Sequence, residues 1–278
     1  VVPPNTMNRN PHNPSTRGLN VAVAGPNEQR VFPARVTTGV NRGYRAGILG
    51  DDGRLISFTA ACRPLLYRAE PYGPAFRGNV FVLEPAANLI KRNLVEESGL
   101  SLTARFAYPA REFMTSTDER FRPVHATLGP DGTIYLADMY RGILQHGRYI
   151  SPYLRREILA RDLDKPINLG RIWRLMGPAT TRGPRPHLSR ASAAELVATL
   201  GHRDGWWRDT AQRLLVERGD LGAVPALLAL ARDGRAEARA RVAALWTLEG
   251  LEPRDGAALL PLVDDLEPHV ATAAIRVV

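Results

Sequence analysis

The sequence predicts the C-terminal blades of a β-propeller, residues 1–177, a linker at 178–187, and an α-helical HEAT-like solenoid, residues 188–278. Three observations predict it. Short β-branched and aromatic segments recur from Gln29 onward, separated by turn signals such as Asp51-Asp52-Gly53, Arg77-Gly78-Asn79 and Gly129-Pro130-Asp131-Gly132. One theme occurs twice, a glycine turn, an aromatic strand and an outward strand with alternating charge: GNVFVLEPAANLIKRNLVEE and GTIYLADMYRGILQH. Beyond Leu188 the apolar period changes from that of a strand to that of a helix.

In chain order, residues 1–29 are rich in Asn, Pro and Gly and read as an irregular excursion. Strand-like segments follow: RVFPARVT, RLISFT, PLLYRA, NVFVLEP, LIKRNLVE, LTARFAY, VHATL, TIYLAD and RIWRLM. VHATL and TIYLAD form a hairpin, because Pro130 presets the first turn position, Asp131 closes an Asx turn and Gly132 supplies positive φ. Pro152 to Leu163 interrupts with a helix whose Tyr153, Leu154, Ile158 and Leu159 share a face.

GPATTRGPRPH, 177–187, is a constrained linker. Ser192-Ala193-Ala194-Glu195 is a capping box opening a helix through Leu200. Helices are expected over Trp206–Arg218, Leu221–Ala231, Ala236–Glu249, Gly256–Val263 and from Pro268. Ala211 aligns with Ala243, Leu214 with Trp246 and Leu227 with Leu259, an offset of about 32 residues that suggests stacked helix pairs.

The bulk numbers restrict function. At 278 residues and 44 % hydrophobic content a sizeable core is possible, and no apolar run reaches the length of a membrane span. The chain opens without Met and stops inside a helical run, so it is read as a piece of a longer protein. Net charge +9 ordinarily suggests a polyanion partner. Here all but two of the 37 basic residues, Lys91 and Lys165, are arginines scattered among Ala, Gly, Pro and Leu, which points to compositional bias rather than a nucleic-acid site. The single Cys62 reads as a buried, inert thiol.

Groups that can do chemistry crowd the hairpin. Arg120 and Arg122, two apart, project together if extended and can hold a carboxylate, a phosphate or a quinone oxygen; the alternative is pairing with the adjacent Asp118 and Glu119. His125 reads as a hydrogen-bonded structural residue rather than a base. Asp138 ends a core strand and is either a cap on the next turn or a site residue, with Tyr140 and Arg141 as ready partners; Glu84, with Asn88 nearby, ends NVFVLEP in the same way. His146 has no second His or Cys at metal-ligand spacing, so no metal tetrad is expected. Walker A, GxGxxG, GxSxG, HExxH and CxxCH signatures are absent.

The strings NRGYRAGILGDDGRLISFTAAC, YRAEPYGPAFRGNVFVLEPAANLIKR, STDERFRPVHATLGPDGTIYLADMYRGILQH and LGRIWRL resemble the membrane-bound dehydrogenases of planctomycetes and related bacteria. Those are similar to the glucose/sorbosone dehydrogenase propellers and carry C-terminal HEAT repeats. The resemblance spans about residues 5 to 176 and implies an exported, periplasmic or cell-surface quinoprotein-like oxidoreductase. It would oxidise a sugar or other alcohol with pyrroloquinoline quinone (PQQ), with calcium as a possible companion, and pass electrons to a haem module outside this chain. The alternative function is a non-catalytic scaffold holding a glycan or, through the helical repeats, a protein partner.

Arg120, Arg122, Asp138, Arg141, His146 and Glu84 are the expected cofactor- or substrate-binding residues. The resembled enzymes carry an Arg-x-Arg-Asp run before the Gly-Pro-Asp-Gly turn. Counting back from Gly129 puts Arg122 on the first arginine, Val124 on the second and His125 on the aspartate. Their catalytic histidine lies in an earlier blade, so the base is expected outside this chain.

Overall fold

The computed structural model describes residues 27–37, 47–98, 101–177, 180–181, 183, 185–251 and 256–278. The excursion expected before Gln29 and several positions of the linker therefore lie outside the described residues.

Two antiparallel sheets are built. In the first the order is β1 (Cys62–Leu66), β2 (Val80–Glu84), β3 (Leu89–Ser98) and β4 (Ser101–Phe106), with β5 (Met114–Thr115) pairing with β3. β2 and β3 are a hairpin in register Val80 to Asn93 and Glu84 to Leu89. Its turn closes at Asn88, φ +57°, a conformation asparagine tolerates better than most residues. The second sheet has the order β6 (Pro123–Leu128), β7 (Ile134–Asp138) and β8 (Arg171–Leu175).

The β6–β7 turn follows its sequence. The Gly129 amide donates to the Thr133 carbonyl (2.9 Å) and the Gly132 amide to the Gly129 carbonyl (3.0 Å). Asp131 Oδ1 accepts from the Thr133 amide (3.0 Å) and hydroxyl (2.7 Å), the expected Asx closure. Gly132 takes φ +70°, and a Cβ there would stand 2.7 Å from Pro71 Cδ.

The expected fold class, propeller blades leading into a HEAT-like solenoid, is corrected by this topology. Among the described residues there are two small sheets and no closed barrel or propeller. The shortfall lies early in the chain. RVFPARVT and RLISFT contribute only isolated bridges, Arg30 to Ser57 and Leu49 to Leu55, instead of a ladder. Pro33, which has no N–H, sits in the middle of the first of them.

The chain divides into two compact units that interleave in sequence: Val1–Leu65, Asn79–His125 and Ala137–Arg171 in one, Leu66–Gly78, Ala126–Leu136 and Ile172–Val278 in the other. The first unit packs Val31, Ile48, Leu55, Ala87 and Leu89 as one cluster, and Leu154, Ile158 and Leu163 as another. The second of these clusters rests on α1 (Pro152–Ala160), which Ser151 caps by accepting the Leu154 amide at 3.2 Å.

The second unit is largely helical: α2 (Ala193–Thr199), α3 (Gly205–Arg218), α4 (Val224–Arg232), α5 (Ala238–Leu251) and α6 (Pro268–Val277), with a 3-10 segment at Gly256–Asp264. α2 opens on the Ser192–Glu195 capping box. Leu215, Leu227, Leu245, Leu248 and Val270 fill the core between these helices. The elements run to 14 residues in α3, 9 in α4, 14 in α5 and 9 in the 3-10 segment, where Pro261 stands inside the helix. No helix among the described residues is long and apolar enough to cross a membrane.

Candidate functional site

Arg122 stands one residue before β6, and its neighbour Phe121 is buried at 8 % exposure. Backbone bonds stitch Arg122 to the far end of β7: its amide donates to Asp138 Oδ1 (2.7 Å) and its carbonyl accepts from the Met139 amide (3.0 Å). The side chain turns inward, and the residue is 4 % exposed. There Nη1 donates to the Pro85 carbonyl (2.7 Å), Nε to the Arg141 carbonyl (2.9 Å) and Nη2 to the Gly142 carbonyl (2.8 Å). Burial lowers this guanidinium to about 10, which leaves it charged at neutral pH.

The structure thus brings Glu84, Arg122, Asp138 and the Arg141 backbone into one cluster, but as a fastening of loops. Glu84 is fully buried and accepts from the amides of Thr59 (2.8 Å), Ala60 (2.9 Å) and Ala86 (3.1 Å). Burial pushes its carboxyl up, against the pull of those amides. Asp138 caps the turn: the same Oδ1 that accepts from the Arg122 amide also accepts from the Tyr140 amide at 2.8 Å. Asn88 Nδ2 adds bonds to the Phe121 (2.6 Å) and Glu119 (3.2 Å) carbonyls.

Arg120 does not share a face with Arg122. β6 begins only at Pro123, so the period-two rule does not reach them. Arg120 Nη2 instead donates to the Asp162 (2.7 Å) and Lys165 (2.9 Å) carbonyls. Of the neighbouring acids, Glu119 pairs with Arg35 (2.9 Å) and with Arg161, and Asp118 Oδ1 accepts from the Arg120 amide (2.9 Å). His125 is exposed on β6, on the opposite side from buried Ala126 and Leu128. His146 is also exposed and meets only the edge of Tyr149, with ring centroids 6.2 Å apart. Cys62 donates to the Ala60 carbonyl at 3.0 Å, and burial pushes its thiol up, away from nucleophilic thiolate.

Two features of the first unit go beyond what its sequence announces. Tyr140 carries φ +43°, a strained value for an aromatic residue. Its hydroxyl donates to Asp118 Oδ2 (2.8 Å), which raises the phenol's pKa, and the Arg171 guanidinium lies 3.6 Å from its ring centroid. The other is a buried ion pair, Lys91 to Glu112 at 3.2 Å, with side chains 2 % and 1 % exposed. The only hint was a lysine inside the strand LIKRNLVE, whose positions 89–93 are all buried. Among the described residues no three His, Cys, Asp or Glu side chains group as metal ligands.

No curated protein and no solved structure matches the chain. Residues 1–178 match a family model described as "Domain of unknown function (DUF7133)". That match covers the whole β part, including the Arg122 cluster, and the chain belongs to the DUF7133 family.

Proposed function

We propose that this chain is a non-catalytic binding segment whose partner is an extended stretch of another polypeptide, taken up along β8. The observation that carries the reading is the state of Arg122: the residue best suited by sequence to clamp an anionic cofactor has its guanidinium on three backbone carbonyls. Glu84 and Asp138 are spent in the same manner, as acceptors for backbone amides.

β8 offers the surface. It pairs only with β7 among the described strands, and Ile172 and Trp173 on it are 73 % and 43 % exposed, with Met176 just beyond at 54 %. Edge strands are ordinarily guarded by charge, proline or a covering element. Here Arg171 lies over the Tyr140 ring and Arg174 pairs with Asp131 at 2.5 Å, so the two cations of the strand are drawn aside. Strand addition uses such an edge, with main-chain bonds for affinity and alternate side chains for specificity.

The test is a photo-crosslinking residue at Met176 of the full-length protein in its native cell. A discrete adduct that maps to one extended segment and disappears with Ile172→Lys is expected. An adduct no stronger than one from fully exposed Leu266 would refute the reading.

A second reading, a segment of an exported PQQ-dependent sugar or alcohol dehydrogenase, is favoured by the string resemblance alone. Calorimetric titration of the full-length protein with PQQ and calcium separates the two. Tight binding that is lost in Arg122→Ala, with the variant's unfolding midpoint unchanged, would support the dehydrogenase and sink the first reading.

A further inference from the structure

The first unit holds a cleft of about 500 Å³ that involves none of the residues considered above for cofactor or strand binding. Three loops form it, 30–34, 52–56 and 110–112, and they are tied to one another. The Val31 amide donates to the Ile56 carbonyl (3.1 Å), the Leu55 amide to Thr37 Oγ1 (2.7 Å) and the Phe32 amide to Glu112 Oε1 (2.9 Å). The cleft is therefore preformed rather than a gap between loose segments.

Its charges are unbalanced. Glu112 at the back is offset by Lys91, whose Nζ also sits 4.1 Å from the Phe106 ring centroid and 5.3 Å from that of Phe32. A buried ion pair is a poor source of stability, and desolvation drives its two members towards neutrality, Lys91 down and Glu112 up. Three arginines line the opening, Arg30, Arg54 and Arg111, against one exposed acid, Asp52. Asp52 is the partner of Arg54, at 3.7 Å. Arg30 and Arg111 contact only aromatic faces, Phe32 at 5.9 Å and Tyr108 at 5.2 Å, and neither has a carboxylate partner among the described residues. Between these cations the apolar surface offered is that of half-buried Phe32 and Ile56, backed by the buried side chains of Val31 and Leu55.

We propose that this cleft binds a small organic anion, a carboxylate or phosphate monoester on an apolar body, with Arg30 and Arg111 holding the anionic head and Phe32 and Ile56 holding the body. Guanidinium forks suit both head groups, and stacking on Phe32 and Tyr108 orients them at little entropic cost. The inference is independent of the strand-edge reading, since no residue of β8 takes part.

The test uses the whole chain and four probes, benzoate, phenyl phosphate, inorganic phosphate and benzyl alcohol, followed by calorimetry and by amide shifts at Phe32, Leu55 and Glu112. Saturable binding of benzoate or phenyl phosphate is expected, with the tighter of the two naming the head group. Inorganic phosphate and benzyl alcohol, each lacking half of the ligand, should bind about tenfold more weakly or not at all. Arg30→Ala/Arg111→Ala should weaken the organic anions by about tenfold or more. Ala34→Trp, which places a bulky ring on a lining residue of the cleft, should weaken binding by about tenfold or more. Absence of saturable binding by both organic anions, equal affinity in the double variant, or unchanged binding in Ala34→Trp would each overturn the proposal.

Discussion

If Arg122 is a fastening, removing it must be paid in stability before anything else changes. Arg122→Ala strips the donor from three carbonyls, those of Pro85, Arg141 and Gly142, at a site where the residue is 4 % exposed. Each buried acceptor left without a partner costs about 1–3 kcal/mol, and water entering the vacated space recovers part of that. The expected loss is roughly 3–6 kcal/mol, a large share of the ~5–15 kcal/mol of an ordinary domain. Arg122→Lys keeps the charge but not the fork and should cost about half as much. Fluorescence is the wrong probe, since Trp173, Trp206, Trp207 and Trp246 all belong to the second unit. Urea unfolding followed by far-UV circular dichroism gives the free energy. Hydrogen exchange over 84–88 and 138–142 then shows whether those two loops are the ones released. A loss below about 1 kcal/mol, with both loops still protected, would refute the fastening argument and return Arg122 to the candidates for ligand binding.

Three further outcomes are expected. Glu112→Gln leaves Lys91 buried without its counter-ion and should cost about 3–5 kcal/mol, whereas the double change Lys91→Met/Glu112→Leu should cost less than that; urea midpoints of the wild type and the two variants decide this. Asp131 lies below the usual carboxylate range: burial raises it, but the Thr133 hydroxyl and amide and the Arg174 charge together outweigh that. Its folded pKa is below its unfolded one, so its contribution is complete above pH 3.8 and lost as pH falls below that; Asp131→Asn should flatten this acid limb of the stability profile. Gly132→Ala combines positive φ with the approach to Pro71 and should lower stability by about 1–3 kcal/mol in thermal unfolding.

What the sequence made legible was the chemistry that acts over three or four residues. The Gly129–Gly132 turn, the Ser192–Glu195 capping box and the helix at 205–218 rest on local φ preferences, local hydrogen bonds and a local period. The number of strands that join a sheet is not local. RVFPARVT and RLISFT have strand composition, yet their partners are decided by tertiary contacts, and they end as single bridges. The partners of the candidate site residues are not local either. Arg122 meets carbonyls 19, 20 and 37 residues away, which no spacing in the sequence announces. Asp138 was legible as either cap or ligand, because the deciding fact, an amide two residues on and another sixteen back, is half local and half not.

The same use of arginine recurs well away from Arg122. Arg218 donates to the Ala191 (2.7 Å), Ser189 (2.9 Å) and Leu188 (3.2 Å) carbonyls of a 3-10 turn. Arg208 bonds the His202 (2.6 Å) and Arg203 (2.9 Å) carbonyls that follow α2, and Arg241 Nε bonds the Ala231 carbonyl (2.9 Å) near the end of α4. Helix ends and turns leave carbonyls without intrahelical partners, and a planar group with five donors can gather several at once, which an ammonium on a flexible stem does less well. A chain whose basic residues are nearly all arginine can therefore bind up much of its positive charge internally. Net charge read from composition then overstates the field offered to a partner: the cations that matter for recognition are those, like Arg30 and Arg111, that no carbonyl or carboxylate among the described residues has claimed.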